Sequence, residues 1–191
     1  MAPPISFKTQ MQLGFSCIIG FFLLISLLSL YQLYSIQKQV GELEASVLPY
    51  ALLSQQMAFD VVQVQQFLTD VSATHNPAAY QEAEEAAESF KSGIVRFRQR
   101  YQSNPDRLRE VDNLTRKFDR YYTDGKEMAE AYLSQGVEAG NRLMEGFDST
   151  AGDLTALMDN LKNIHVKAAE KATLEISGNA YNYSAWMVGI F

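Results

Sequence analysis

The sequence predicts an all-α protein: an antiparallel up-down-up-down four-helix bundle that is continuous with an N-terminal transmembrane helix. Three observations predict this fold. An uncharged apolar run extends from Leu13 to Leu33, apolar residues then recur at spacings of three and four, and no segment shows the alternation typical of a strand. Because four helices of similar length are joined by short turns, an antiparallel arrangement is favoured.

The first element is the apolar run, which we assign as a membrane-spanning helix over 13–34. About 20 helical residues cross the hydrocarbon core of a bilayer. Tyr31 and Tyr34 follow it and suit the headgroup region, and no small-residue cleavage site indicates a removed signal peptide. With Lys8 before the run, we expect residues 1–12 to be cytoplasmic.

The first bundle helix is expected over about 38–75. Pro49 lies within it and should kink the helix or mark a junction, and Ser54 is the one polar interruption of its seam. The predicted inward residues are Leu43, Val47, Tyr50, Met57, Val61, Val64, Leu68 and Val71.

The second and third helices, about 77–102 and 105–134, begin with the same chemistry. Asn76-Pro77 and Asn104-Pro105 each combine a capping side chain with a proline at the first helical position, and Asp106 suits a first turn. The inward residues of the second helix are Tyr80, Ala83, Ala87, Phe90, Ile94, Phe97 and Tyr101. Those of the third are Leu108, Val111, Leu114, Phe118, Tyr121, Tyr122, Met128, Ala129 and Tyr132.

The fourth helix is expected over about 140–183, after a loop punctuated by Gly136 and Gly140. Its seam is Met144, Phe147, Ala151, Leu154, Met158, Leu161, Ala168 and Ala172. Aromatic residues near its end precede 184–191, which we interpret as the start of a second, truncated transmembrane helix. The bundle at 38–183 would then stand between two membrane helices, the layout of a transmembrane sensor.

Composition excludes several classes of function. The net charge is -6, and a nucleic-acid-binding protein needs a basic footprint. The single cysteine, Cys17, offers neither a disulfide framework nor a thiolate metal site. No nucleophile elbow or phosphate-binding glycine loop is present, so we expect no enzyme.

The two histidines do not fit the metal sites of helical bundles. A di-iron site needs Glu-x-x-His motifs, but Ser72 precedes His75 by three positions and Lys162 precedes His165. We therefore expect no metal and no cofactor. His165 continues the seam of the fourth helix as a hydrogen-bonded core residue, with a pH-sensing role as the alternative, and His75 should cap a helix end.

Cations concentrate on the second and third helices. We expect a solvated face with local ion pairs to Asp106, Glu110, Asp112 and Asp119. Contact with anionic lipid, or an anion pocket around Arg116 and Arg120, is the alternative. The cations are Lys91, Arg96, Arg98, Arg100, Arg107, Arg109, Arg116, Lys117, Arg120 and Lys126.

Two stretches resemble the ligand-binding region of methyl-accepting chemotaxis receptors of the four-helix-bundle class. The first runs from Val62 to Thr74. The second runs from Phe118 to Asp148 and includes Tyr121-Tyr122, Gly125-Lys126, Met128-Ala129, Ala131-Tyr132, Gly140-Asn141, Met144 and Phe147-Asp148. The membrane-bundle-membrane order adds to the likeness, which covers nearly the whole chain. The signalling parts of such receptors, with their methylation helices and kinase-coupling tip, are absent from it.

The resemblance implies a homodimer in a bacterial inner membrane, with the bundle periplasmic or extracellular. A small molecule, an organic acid or amino acid, would bind in the distal half and displace the fourth helix. A histidine kinase complex would be reached only through the missing cytoplasmic part. Taking a level about 10 Å below the distal tip, we expect the ligand-binding residues to be Gln66, Thr69, Asp70, Lys126, Asn141 and Arg142.

Alternatives remain open at the site and for the function. Amino-acid-binding members use arginines on the first helix, which has none here. The resemblance to organic-acid receptors of the class implies a second possibility, an anion site within the bundle at Arg116, Arg120 and Tyr121. A periplasmic binding protein or the lipid bilayer could replace a directly bound ligand. The chain could also be the sensor of a histidine kinase or of a cyclic-nucleotide signalling enzyme, or a membrane-tethered helical scaffold.

Overall fold

The protein, seen in a computed structural model, is described at residues 6–76 and 78–190, and every regular element in these ranges is helical. This confirms the prediction of an all-α protein. Three predictions fall partly or wholly outside the described residues. They concern residues 1–5 of the expected cytoplasmic segment 1–12, Pro77 as the first residue of a helix, and Phe191 at the end of 184–191. The elements are α1 (Phe7–Glu42), a π-helical turn (Leu43–Val47), α2 (Leu48–Thr74), α3 (Ala78–Arg100), α4 (Pro105–Gln135) and α5 (Val137–Ile190).

The π-helical turn lies directly before Pro49. Proline has no N–H to donate to the carbonyl of Ala45, and its ring crowds that carbonyl. A widened turn relieves both problems without a loop. The expected disturbance at Pro49 is therefore present as a π-helical turn, and Pro49 itself falls in the first turn of α2.

Helix α5 begins three residues earlier than the sequence indicated. Gly136, with φ +90°, makes the turn after α4 alone, so Val137 already starts the helix. Gly140 is helical and serves a different purpose. A Cβ there would collide with the ring of Tyr132, so this glycine permits a close approach of α4 and α5.

Asparagine caps are found where the sequence predicted them. Asn104 Oδ1 accepts a hydrogen bond of 3.1 Å from the backbone N–H of Arg107 at the start of α4. Asn76 Oδ1 accepts one of 3.1 Å from the N–H of Ala78. These bonds satisfy donors that the first turn of a helix leaves unpaired.

The chain divides into two compact units. One comprises the described parts of 1–45 and 171–191. In it the large apolar side chains of α1 are almost all exposed, Ile25 being the buried exception. Asn179 Nδ2 donates a 2.9 Å hydrogen bond to Gln39 Oε1, and Ser29 Oγ lies 3.5 Å from Met187 Sδ. Among the described helical runs, Phe7–Thr74 alone is apolar and long enough to cross a membrane, by length and composition.

The other unit, Ser46–Glu170, has one main hydrophobic core to which α2, α3, α4 and α5 all contribute. Two ring pairs lie at its centre: Phe90 stacks on Phe118 with centroids 3.9 Å apart, and Tyr121 stacks on Phe147 at 5.2 Å. Its largest fully buried side chains are Tyr121, Phe90, Phe97, Phe118, Phe147, Met57, Leu68, Met128, Leu154, Met158, Val61 and Val64.

Contacts between neighbouring helices follow a regular order in this unit. Along α2 and α3 the pairs are Tyr50 with Phe97, Met57 with Gly93 and Asp60 with Ser89. Along α4 and α5 they are Lys117 with Asp153, Asp124 with Thr150 and Tyr132 with Asn141. In both series the partner's number falls as the first residue's number rises.

Most of the predicted seam residues are buried or half-buried. In the last part of the α5 seam, however, the buried alanine is one residue later than predicted. Ala168 is exposed, and Ala169 is buried in its place. His165 and Ala169 are four apart, so this spacing keeps the inward face of α5 continuous.

Candidate functional site

The six distal residues predicted as a ligand site lie on three helices. Gln66, Asp70 and Arg142 are exposed and Thr69 is half-buried. Asn141 Oδ1 accepts a 2.5 Å hydrogen bond from the Tyr132 hydroxyl of α4. In the described part of the chain no hydrogen bond or ion pair joins any two of the six, so the structure does not assemble them into one cluster.

The sixth predicted residue, Lys126, lines an open groove of about 730 Å³ that α3 and α4 form with Leu143 of α5, and none of the other five lines it. Its ammonium lies 5.5 Å from the centre of the Tyr122 ring, and that of Lys91 lies 5.6 Å from the same ring. Burial raises the pKa of Tyr80, with a further contribution from Glu130. The walls are Tyr80, Glu84, Tyr122, Lys126, Glu127, Glu130, Ala131, Gln135 and Leu143.

A second groove, of about 470 Å³, lies between α4 and α5 and carries three cations. Its walls are Asn113, Arg116, Lys117, Arg120, Ser149, Thr150 and Asp153. Lys117 Nζ lies 3.2 Å from Asp153 Oδ2, and Arg120 Nε lies 3.6 Å from Asp124 Oδ2. The structure thus brings Arg116 and Arg120 of the predicted anion site into one groove and adds Lys117 to them.

Tyr121, the third residue of the predicted anion site, is not in this groove. Its side chain is fully buried, and its hydroxyl donates a 2.7 Å hydrogen bond to the carbonyl of Val61. Burial raises the pKa of this phenol. Tyr121 is therefore a core residue that joins α4 to α2, because its ring belongs to the inward face of α4.

Next to this groove is a smaller cleft of about 110 Å³. Its floor contains the buried Val111 and Leu114, and its rim contains the exposed Glu110, Asn113 and Asn160. The remaining walls are Tyr101, Leu157, Leu161 and Ile164. The cleft is thus apolar within and polar at its mouth, and the sequence analysis did not anticipate it.

Asp60 is a buried carboxylate that the sequence analysis also missed. It is 1% exposed and sits between α2 and α3. Its oxygens accept 2.8 Å hydrogen bonds from Gln56 Nε2 and Ser89 Oγ. Burial raises the pKa of Asp60, and the two hydrogen bonds oppose that change. The available signal was the position of an aspartate directly beside Val61 in the apolar seam.

His165 is half-buried within an aromatic cluster. Its ring centroid lies 5.1 Å from that of Phe97 and 6.4 Å from that of Tyr50, and its Nε2 is 2.9 Å from the Tyr101 hydroxyl. Burial lowers the pKa of His165, and Arg107 and Arg100 lower it further. The expectation of a hydrogen-bonded core histidine is confirmed at this position.

His75 ends α2 in the left-handed conformation, with φ 58°. Its backbone N–H donates a 3.0 Å hydrogen bond to the carbonyl of Val71. The residue therefore caps the helix end as expected, through its main chain.

The basic residues near the turn between α3 and α4 form several of the expected ion pairs. Arg98 lies 2.7 Å from Asp112, Arg107 lies 2.6 Å from Glu110, and Arg109 pairs with Asp106. These partners are largely exposed, and pairs of this kind contribute about 0–1 kcal/mol each.

Within residues 6–76 and 78–190, no group of three His, Cys, Asp or Glu side chains could hold a metal ion. Comparison with known proteins identifies no relative: no family model, no curated protein and no solved structure matches the chain.

Proposed function

We propose that this chain is the sensory module of a transmembrane chemotaxis receptor. It binds an extracytoplasmic small molecule, an organic acid or amino acid, and passes a displacement of α5 across the membrane to a cytoplasmic signalling region absent from this chain. The observation that carries the proposal is the uninterrupted helix α5. Its 54 residues supply Phe147 and Leu154 to the bundle core and Met187 to the contact with Ser29 of α1.

The proposed bundle is antiparallel, with up-down-up-down order. The opposed numbering of the α2–α3 and α4–α5 contacts supports it. The diagonal helices α2 and α4 run in the same direction. Val61 contacts Tyr121 and Leu68 contacts Gly125, so the residue numbers increase together along the two helices. Adjacent helices that run oppositely and diagonal helices that run alike are what this order requires.

In the proposal α1 crosses a bacterial inner membrane, with the bundle periplasmic or extracellular. The exposed apolar surface of α1 supports this. Such a surface is costly in water and favourable in lipid, at roughly 25 cal/mol per Å². The amino terminus would be cytoplasmic, and lipid would be the permanent partner of α1.

The proposed assembly is a homodimer formed through α2. Four large apolar residues of α2 are exposed, namely Leu48, Leu52, Phe59 and Val62. At about 100° per residue they fall within one stripe about 80° wide. Gln66 lies on the same stripe, so one residue of the predicted distal site would stand at the interface of the two copies.

Signal transfer requires that the ligand distinguish two positions of α5, since a ligand shifts an equilibrium only by its differential affinity. The α4–α5 groove supports this part of the proposal, because Ser149, Thr150 and Asp153 of α5 face cations of α4 across it. A ligand held between these helices contacts the helix that is proposed to move.

A fusion of the whole chain to the cytoplasmic part of a well-behaved chemotaxis receptor tests the function. We expect the fused protein to change the autophosphorylation rate of its coupled histidine kinase when small organic acids or amino acids are added. An insertion of three glycines after Glu175 is the matched control, because it interrupts α5 beyond the bundle; binding should remain and the kinase response should vanish. A chain whose gene continues into a phosphoacceptor-histidine helix would contradict the chemotaxis assignment.

A further inference from the structure

The groove between α4 and α5 that contains Arg116, Lys117 and Arg120, here called the cationic groove, lies next to the apolar cleft on one face of the bundle. Asn113 lines both, so the two spaces meet at this residue. On α4 the groove continues from Asn113 to Arg116, Lys117 and Arg120, at the three and four spacing of a single helix face. About 4.5 Å of helix rise separates Asn113 from Arg116. One small molecule can therefore reach both spaces.

The cations of the groove are not equally available. Lys117 is paired with Asp153, and Arg120 is paired with Asp124. Arg116 is exposed, and no described carboxylate lies within ion-pair distance of it. An arginine without a partner presents two parallel N–H donors that match the two oxygens of a carboxylate.

The cleft limits the size and polarity of what enters it. Its volume of about 110 Å³ compares with the ~150 Å³ of an apolar cavity that accommodates benzene. Val111, Leu114 and Leu157 line the cleft, so the part of a ligand that enters it would be apolar and contain about six carbons or fewer. Glu110 at the rim, which is paired with Arg107, disfavours a second carboxylate on the ligand.

We propose that the α4–α5 face binds a monocarboxylate with a compact apolar body, its carboxylate on Arg116 and its body in the cleft. This inference rests on the proposed function, since it names the ligand class of the proposed sensor. It also places the ligand across α4 and α5, with Leu157 and Leu161 of α5 against its apolar part.

The test uses the full chain in lipid nanodiscs and measures binding by isothermal titration calorimetry. Benzoate is the probe, and acetate and terephthalate are the reference compounds. We expect benzoate to bind, and acetate to bind at least tenfold more weakly because it has no body to bury. Terephthalate should also bind at least tenfold more weakly, because its para carboxylate, at the other end of the ring from the carboxylate on Arg116, meets Glu110.

Two pairs of matched variants locate the site. Arg116→Gln should weaken benzoate binding at least tenfold, whereas Arg120→Gln, which removes an arginine already paired with Asp124, should change it less than threefold. Leu157→Phe fills the cleft and should weaken binding at least tenfold. Leu143→Phe makes the same change on α5 in a different groove and should leave binding intact. Circular dichroism of each variant checks that it is folded.

Two outcomes would overturn the inference. One is the absence of benzoate binding at millimolar concentration. The other is equal binding by the folded Arg116→Gln and Arg120→Gln variants. Either result together with a kinase response of the fusion protein to another compound would reject this ligand class and leave the sensory function standing. Benzoate binding without any kinase response in the fusion would support the site and count against the sensory function.

Discussion

The hydroxyl of Tyr101 and Nε2 of His165 lie 2.9 Å apart, joining the end of α3 to α5. Tyr50 and Phe97 pack around the histidine, and the charged groups that act on it are the guanidinium groups of Arg100 and Arg107. A neutral imidazole suits this position because burial and both arginines oppose its protonation.

The stability of the folded chain should therefore fall as the pH is lowered through the range below 6.5. The pKa of His165 is lowered from 6.5 by folding, so the unfolded chain takes up a proton at a higher pH than the folded chain does. Protons then favour the unfolded state, and the loss continues until the folded-state pKa is reached. Thermal melts of the wild type and His165→Gln between about pH 5 and 8 should show a shallower decline for the variant.

The other histidine provides the control for this experiment. His75→Gln removes an exposed imidazole at the end of α2 and should leave the pH-dependent difference in place. A His165→Gln variant with the same slope as the wild type would refute the assignment.

Replacing Asp60 by asparagine should stabilise the protein at pH 7 by about 1 kcal/mol, because it removes a charge that burial disfavours. The pKa of Asp60 is raised, so its charged form costs stability above that pKa. The asparagine carbonyl oxygen can accept from Gln56, and its Nδ2 can donate to the Ser89 hydroxyl oxygen. Asp60→Ala should destabilise instead, since it leaves both donors unpaired. Thermal or urea unfolding separates the variants, and a less stable Asp60→Asn would contradict this account.

A methyl group at Gly125 should destabilise the bundle by about 1–3 kcal/mol. The added Cβ would lie 2.6 Å from both Leu68 Cδ1 and Phe147 Cε2, inside the contact of three helices. Gly146→Ala is the matched control, because nothing lies within 4 Å of a Cβ there; it should stabilise α5 by about 0.5–1 kcal/mol. Opposite shifts in melting temperature are the expected result, and equal shifts would contradict it.

Tyr121→Phe should cost about 1 kcal/mol, since it deletes the hydrogen bond to Val61 and keeps the ring stacked on Phe147. Tyr121→Ala should cost about 3–5 kcal/mol, as expected for loss of a buried ring. Carboxylate binding should be unchanged in the phenylalanine variant. If the folded variant lost carboxylate binding, Tyr121 would take part in the anion site, and its assignment as a core residue alone would be wrong.

The helical class and most inward faces followed from the sequence because they depend on local periodicity and capping. Asn104 acts as a cap, and Met57, Phe90 and Phe118 are buried as their spacing indicated. Gly140 was taken for a loop residue because its contact with Tyr132 involves a second helix. Local pattern carries no information about which ring will lie against a glycine.

The candidate site was less accessible to prediction than the fold. The sequence analysis named Tyr121 both as an inward residue of the third helix and as part of an anion site with Arg116 and Arg120, and the structure agrees only with the inward position. Asp60 was overlooked because an aspartate near an apolar seam usually reaches solvent, and its burial depends on Ser89 from α3. The cleft between α4 and α5 depends on how two helices fit, which no single helix pattern encodes.

The alanine-rich face of α3 brings it close to α2 over part of their length. Ala83, Ala86 and Ala87 are buried, and Gly93 lets Met57 lie against the α3 backbone, so the two helices pack closely at this level. The groove and the cleft lie instead between α4 and α5. Deforming a close-packed pair forfeits many contacts, whereas closing an existing gap gains them. A displacement of α5 towards α4 would therefore gain contacts at the groove and the cleft, whereas moving α2 away from α3 at Met57 and Gly93 would lose them.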